Sequence, residues 1–355
     1  MSKHPVIGRR ARSGQTGLPT AHDVARLAGL SQSAVSRAYT DGASISPQAR
    51  LKVLQAAAQL SYRPNLIARS LTTQRSRLIG VAMSYMENQF YPAILEAISQ
   101  GFHARGYRVL LFTPRADGNS DPILDEVLRY RVDAIILASA RITSHFAEEC
   151  ALARVPVVLL NRKTESTEVS SVTGQNVTGS RDIARFLIDG GHRSFAFMAG
   201  LEDSSTSRER EQGFTQALRK AGHAPPARVV GHYDFEGASA ATRQLLDAAE
   251  KPDAIFCAND HMAFAAIETA RSHFGMQAGR DISIVGFDDV GLAAWPAFDL
   301  TTYSQPVQLM AERVVAVTLG HLDKDEYVPV QDVVPGRLIV RGSARRPESP
   351  GEPQK

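Results

Sequence analysis

The chain has 355 residues, 43% hydrophobic and 22% charged, with a formal net charge of +3. It is too long for one ordinary domain, apolar enough to bury a core, and lacks any run of about 18 apolar residues that could cross a membrane. Cys150 and Cys257 stand alone without C-x-x-C spacing, which suits a reducing cytoplasm and no structural metal.

The opening text, MSKHPVIGRRARSGQTGLP, is basic but has no apolar stretch before a small-residue cleavage site. It reads as a flexible arm over 1–18, not as an export signal. Between Thr20 and Thr40 the text TAHDVARLAGLSQSAVSRAYT gives two short helical patterns broken by a Gly-Leu-Ser turn. Thr20 can cap the first helix with Asp23 three residues on, and Val24, Leu27 and Ala28 supply its apolar stripe. Gly29 tolerates the left-handed backbone that ends a helix. Ser31 caps a second helix, in which Ala34, Val35 and Ala38 face the first. Gln32, Ser33, Ser36 and Arg37 are then left on the outer face, all able to hydrogen-bond and none acidic, as base edges and phosphates require. Alone, so short a pattern fits an ordinary solvated helical hairpin equally well.

Ser46-Pro47 is a cap followed by a proline at the first helical position. The spacing predicts a third helix from Pro47 to about Leu60, buried along Ala49, Val53, Leu54, Ala57 and Leu60. Asn65 can cap one more short helix ending near Leu71, apolar at Leu66, Ile67 and Ala68. It is too short to be stable alone and is expected to order against a second copy or DNA.

Charge divides the chain. Through Arg77 there are twelve basic and two acidic residues, which leaves 28 basic and 35 acidic residues after it. A cationic head on an anionic body attracts a polyanion through the head alone. With the charge and the helical hairpin coinciding, DNA binding explains the head better than a solvated face does.

From Leu78 onward the apolar runs LIGVAM, RVLLF, DAIILA, PVVLL, SFAFMAG, AIFCA and ISIVGF alternate with helical segments. Short, wholly apolar strands separated by helices predict parallel sheets covered on both faces. They fall into two sets, before and after about Thr173, so the fold class is an all-α helix-turn-helix head plus an α/β body of two doubly wound lobes. Ligands of such folds sit at the carboxyl ends of the strands. Neither phosphate-loop nor dinucleotide fingerprints appear, nor H-E-x-x-H or G-x-S-x-G, and the histidines are scattered, so no enzyme activity and no cofactor are expected. His192 reads as a helix-end residue.

The strings DVARLAGLSQSAVSRAY, SPQARLKVLQAAAQLSYRPN and ARSL make residues 20–81 resemble the head and hinge of the lactose/galactose repressor (LacI/GalR) family. The resemblance implies that Gln32, Ser33 and Arg37 read the major groove, within a DNA-facing set of Thr20, Ser31, Gln32, Ser33, Ser36, Arg37, Asn65, Ala68 and Leu71. It also implies that the hinge helix pairs with its twin and that Leu71 wedges into the minor groove, bending the duplex onto more protein. It extends along nearly all of the body and implies the fold of type I periplasmic sugar-binding proteins, crossed three times by the chain. The expected domains are a helix-turn-helix at 19–62, a hinge and linker at 63–77, and a body at 78–344. Lobe one takes about 78–173 and 305–332, and lobe two about 174–304 and 333–344. The tail from 345 to 355 is expected to be disordered.

Candidate cleft residues stand just beyond strand ends: Phe90 or Tyr91, Asn161-Arg162, Arg210, Phe235, Asn259 and Asp288, with Gln305 at the last crossover. Aromatic faces with paired donors and acceptors suit a polyol. By motif, Asn161, Arg210, Asp288 and Gln305, together with Phe90 or Tyr91 and Phe235, match effector positions in the family. Asp260 and Asp289 read as strand-end caps. Two departures stand out: Gln175-Asn176 replaces the commoner Asp-Asn, and Asn161 the commoner Asp. Arg162 and Arg210 suit an acidic sugar or another small anion equally well. The expected protein is a homodimeric repressor in the bacterial cytoplasm, at the nucleoid, with double-stranded operator DNA and a sugar, sugar acid or similar effector as partners. A tetramer is left open. The alternative is a sugar-binding protein of a transport system, which the cationic head disfavours.

Overall fold

The computed structural model describes residues 19–40, 42–63, 75–113, 121–138, 144–164, 167–324 and 327–347, in two compact units divided after Ser76. Asn65, Ala68, Leu71 and the basic arm lie outside the described residues.

In the first unit, helices α1 (Ala21–Ala28), α2 (Gln32–Ala38) and α3 (Pro47–Gln59) enclose a small core. Their ends are set locally. Thr20 and Asp23 form a reciprocal capping box, Gly29 closes α1 at φ 67°, and the Ser31 and Ser46 side chains accept from the Ala34 and Ala49 amides. The core holds Val24, Ala25, Val35, Ala38, Val53, Ala56 and Ala57. Two expected core residues are exposed instead, Leu27 and Leu54. On α1 the packed face follows Ala21, Val24, Ala25 and Ala28, and on α3 it follows Val53, Ala56, Ala57 and Leu60. Each set has the i, i+3, i+4, i+7 spacing of one helical face, and each displaced leucine is a residue's turn away from it. Ala49 is only half-buried. Alanines on the inner face let such short helices approach closely.

The second unit carries two six-stranded sheets. The first sheet takes β1 (Leu78–Met83), β2 (Arg108–Phe112), β3 (Ala134–Ala138), β4 (Val157–Leu160) and β5 (Ser170–Gly174). Helices α4 (Phe90–His103), α5 (Asp121–Arg129) and α6 (Ser144–Leu152) connect these strands. The second sheet takes β6 (Phe195–Ala199), β7 (Ala227–Val230), β8 (Ala254–Cys257), β9 (Ser283–Asp288) and β10 (Thr301–Ser304). Helix α7 (Asn176–Asp189) leads into it, and α8 (Ser205–Lys220), α9 (Phe235–Asp247) and α10 (Asp260–Phe274) connect its strands.

The chain crosses from the first sheet to the second after β5. It returns after β10 through α11 (Val307–Leu322), which packs on α4, to β11 (Gln331–Val334) at the edge of the first sheet. It crosses a third time to β12 (Leu338–Ile339), the antiparallel edge strand of the second. All other described pairings are parallel, and β3, β4, β6, β8 and β9 are buried throughout, as strands covered on both faces must be. The segment expected to be disordered from 345 is held at its first residue. The Arg345 amide donates to the Ser283 hydroxyl at 2.9 Å and its Nε donates to the Gly190 carbonyl at 2.9 Å, fixing it to the second lobe.

Two glycines bring the cleft side chains into place. Helix α8 lies so close to α7 that a Cβ on Gly213 would collide with the Val177 carbonyl, and this contact sets Arg210 beside Asn176. A Cβ on Gly200 would lie inside the Tyr233 ring.

Candidate functional sites: a reading face and an interlobe cleft

On the first unit, burial of Ala34, Val35 and Ala38 turns Gln32, Ser33, Ser36 and Arg37 outward, and Thr20 and Ser31 are exposed beside them. Local bonds hold this face in shape: the Ser31 and Ser33 hydroxyls lie 2.8 Å apart, and Arg37 Nε donates to the Ser33 carbonyl at 3.2 Å. The Arg37 amines stay at the surface, as a group that bonds bases or phosphates must.

In the second unit, strand ends of both sheets surround a cavity whose empty space, with the solvent at its mouth, is about 320 Å³. Lobe one contributes Tyr85 and Asn88 after β1, Tyr91 on the first turn of α4, and Asn161 and Arg162 after β4. Lobe two contributes Thr206 and Arg210 on α8, Tyr233 after β7, Asn259 after β8 and Asp288 at the end of β9. Tyr85, Asn161, Tyr233 and Asp288 have φ of 57°, 61°, 63° and 132°. For residues other than glycine this conformation costs about 1–3 kcal/mol each, and it persists where the surroundings over-determine it. Here the Asn161 amide donates to the Val172 carbonyl at 2.9 Å, and the Gln305 amide to the Asp288 carbonyl at 3.0 Å.

Arg210 is 2% exposed. Its Nε donates to Asn176 Oδ1 at 2.9 Å, Nη1 donates to the Ala258 carbonyl, and Nη2 lies 3.5 Å from Asp288 Oδ1. The guanidinium carbon stands 3.7 Å from the centre of the Phe287 ring. Asp288 accepts from Gln305 Nε2 at 2.7 Å and, across the lobes, from Asn88 Nδ2 at 3.5 Å. Burial raises the Asp288 pKa against the lowering pull of Arg210, Gln305 and Asn88. Behind it Asp260 accepts from the Thr302 hydroxyl at 2.5 Å and the Val290 amide at 2.9 Å. Burial, then the neighbouring Asp288 charge, pushes Asp260 up to about 7. Arg210 Nη2 and Asn161 Oδ1 are buried with no hydrogen-bond partner among the described residues.

The lobes also meet through Lys163. Its amide donates to the Ser205 hydroxyl at 3.0 Å and its ammonium pairs with Glu209, which accepts from Asn176 Nδ2 at 2.9 Å. Asn176, the residue in the departing Gln-Asn pair, therefore joins Glu209 to Arg210 and completes a polar chain from one lobe to the other.

Of the residues expected in the cleft, Tyr91, Asn161, Arg210, Asn259 and Asp288 come together around the cavity, and Gln305 stands behind Asp288 as its donor. Phe90 does not join them: it is the first residue of α4, 1% exposed, with its ring in the core. Phe235 is also outside the lining, 46% exposed at the start of α9. In both cases the residue that faces the cavity lies one or two positions away, as Tyr91 and Tyr233. Tyr85, Asn88, Thr206 and Tyr233 were not singled out from the sequence. Only the structure shows Tyr233 in place, its ring packed against Gly200. Asp289 is held by Arg341 at 2.7 Å and, like Asp260, does not line the cavity.

Residues 20–65 match the family model of bacterial regulatory proteins of the lacI family, and residues 184–344 match a periplasmic binding protein-like domain. Catabolite control protein A of Priestia megaterium is 30% identical over 334 residues, covering 92% of this chain and 99% of that protein. The structure of a lac repressor dimer bound to operator and the anti-inducer ONPF is 28% identical, with a TM-score of 0.82 over 92% of this chain and 99% of that one. A transcriptional regulator CelR–cellobiose complex is 29% identical, with a TM-score of 0.70 over 92% of this chain and 100% of that one.

Proposed function

Because this chain belongs to the LacI family of bacterial regulatory proteins, we propose that it is a sequence-specific transcriptional repressor, binding a pseudo-palindromic operator as a homodimer and answering to a small polyhydroxylated effector held between its lobes. The observation that carries this reading is the cavity bounded by both lobes and ringed by phenols, amides and a buried Arg210–Asp288 pair. Flat apolar faces and paired donors and acceptors are what a sugar ring needs, and a ligand touching both lobes favours their closed arrangement by its differential contacts.

On this reading residues 19–62 form the reader and 63–77 the connector. Gln32, Ser33 and Arg37 read the major groove, Thr20, Ser31 and Ser36 contact DNA beside them, and Asn65, Ala68 and Leu71 act in the hinge, with Leu71 in the minor groove. Two readers related by a two-fold axis match two half-sites. Closure of the cleft alters the spacing of the two connectors and so the affinity for operator. The protein then acts at the nucleoid, in the bacterial cytoplasm. Its chemistry is recognition and not catalysis, as in the repressors it resembles.

The test is selection of duplexes from fragmented genomic DNA by the purified full chain, with and without a metabolite panel. Enrichment of a pseudo-palindrome, relieved or strengthened by one metabolite, is the expected result. Retention of fragments in proportion to input under every condition contradicts the reading.

A further inference from the structure

We propose that the effector is a carboxylated polyol, a sugar acid whose carboxylate is received by Arg162; this rests on the reading of the cleft as an effector site. Among the described residues, every other charged side chain that lines the cleft or pairs across it is accounted for. Lys163 is neutralised by Glu209, and Arg210 by Asp288 together with Asn176 and the Ala258 carbonyl. Asp260 takes its hydrogen bonds from Thr302 and Val290.

Arg162 is different. It is 8% exposed and lines the cavity, and no carboxylate or hydrogen-bond acceptor among the described residues is paired with it. Its nitrogens are not among the enclosed unpaired atoms, so the guanidinium faces the cavity, where a ligand carboxylate can pair with it. The residue before it sharpens the point. A carboxylate at 161 would stand on the same strand end as Arg162, but Asn161 carries no charge, donates to the Tyr91 hydroxyl at 3.4 Å and leaves its own Oδ1 without a donor.

Among the described residues, the cavity therefore offers one unpaired cation, Arg162, an unsatisfied amide oxygen and the second amine of Arg210. A planar carboxylate answers the forked guanidinium, and neighbouring hydroxyl groups answer the amide. One surplus positive charge calls for one carboxylate, not a phosphate of higher charge.

The experiment is a thermal-melting and calorimetric comparison on the full-length protein. D-glucuronate, D-galacturonate and D-gluconate are matched against D-glucose and D-galactose, with acetate and inorganic phosphate as anions without the polyol. The expected result is that at least one sugar acid raises the melting temperature, binds at least tenfold more tightly than its neutral counterpart and loses at least tenfold in affinity in Arg162→Gln. Arg162→Lys, which keeps the charge, should recover part of that loss and shows that the site still folds. Tighter binding of a neutral sugar, undiminished acid binding in Arg162→Gln, or no acid bound at all overturns the proposal. If a neutral sugar then changes operator affinity, the repressor reading stands without it. If no duplex is preferred under any condition, that reading falls as well.

Discussion

The two walls of the cleft are built differently. Lobe two presents a wired surface: Arg210, Asp288, Asn176 and Gln305 hold one another through bonds of 2.7 and 2.9 Å with an aromatic ring beneath the guanidinium. Lobe one presents a looser one: Asn161 reaches Tyr91 at 3.4 Å, Asn88 reaches Asp288 at 3.5 Å, and Arg162 has no ion-pair or hydrogen-bond partner among the described residues. A pre-formed wall fixes the orientation of a ligand at little cost in ordering, whereas an incompletely satisfied wall gains most when ligand arrives. On the proposed reading, lobe two holds the polyol in a fixed orientation, and lobe one gains a partner for Arg162 when the ligand arrives.

The sharpest way to break that division is to unwire lobe two. Asp288→Ala leaves Arg210 buried without its counter-charge, so it should cost about 3–5 kcal/mol of stability and abolish the effector response. Urea denaturation and a reporter assay measure the two effects, and an unaltered response removes Asp288 from the site. Next in size is Gly200→Ala. Its new methyl group would have to displace Tyr233, at about 1–3 kcal/mol, with weakened effector binding. Melting and calorimetry together check this.

A third change acts through pH. The buried Asp260 carboxyl, raised from 3.8 to about 7, keeps its proton in the folded state after the unfolded chain has lost it. Its contribution is therefore fully present below about 3.8 and is lost as pH rises towards about 7. Relative to the parent, Asp260→Asn should gain stability steadily over that window in urea titrations. His192 works in the opposite sense in both proteins. Burial lowers its pKa, so its contribution is present above about 6.5 and lost as pH falls below it. Taking the difference between variant and parent cancels it. The smallest effect belongs to the interlobe contact: Lys163→Ala, in a pair whose lysine is half exposed, should change stability by less than about 1 kcal/mol while lowering effector affinity. An unchanged affinity would mean that the contact does not help the lobes close.

What could be read from the amino-acid order follows from how local each determinant is. Thr20, Ser31 and Ser46 cap helices with atoms three residues away, and the apolar strands need no partner to be recognised. Arg210 and Asp288 were legible because a charged residue at the end of a buried strand or on the helix after it has few other places to go. Phase was harder. Leu27 and Leu54 miss the core by a single residue's rotation, a matter of how three helices settle against one another. Phe90 and Phe235 failed for a related reason, since the first residue of a helix can turn towards the core or the solvent while its neighbour faces the cleft. The Lys163–Glu209–Asn176 chain joins residues from two sheets, and no local pattern announces it.

The most direct test is thermodynamic reciprocity between the two sites. The affinity of the metabolite picked out by melting is measured on the full chain with and without saturating operator duplex, and operator affinity with and without saturating metabolite. Linkage requires both ratios to be the same and different from one. Equal ratios of fivefold or more, within the roughly 5–150-fold range usual for such coupling, are predicted; a metabolite affinity that ignores the operator would contradict the account.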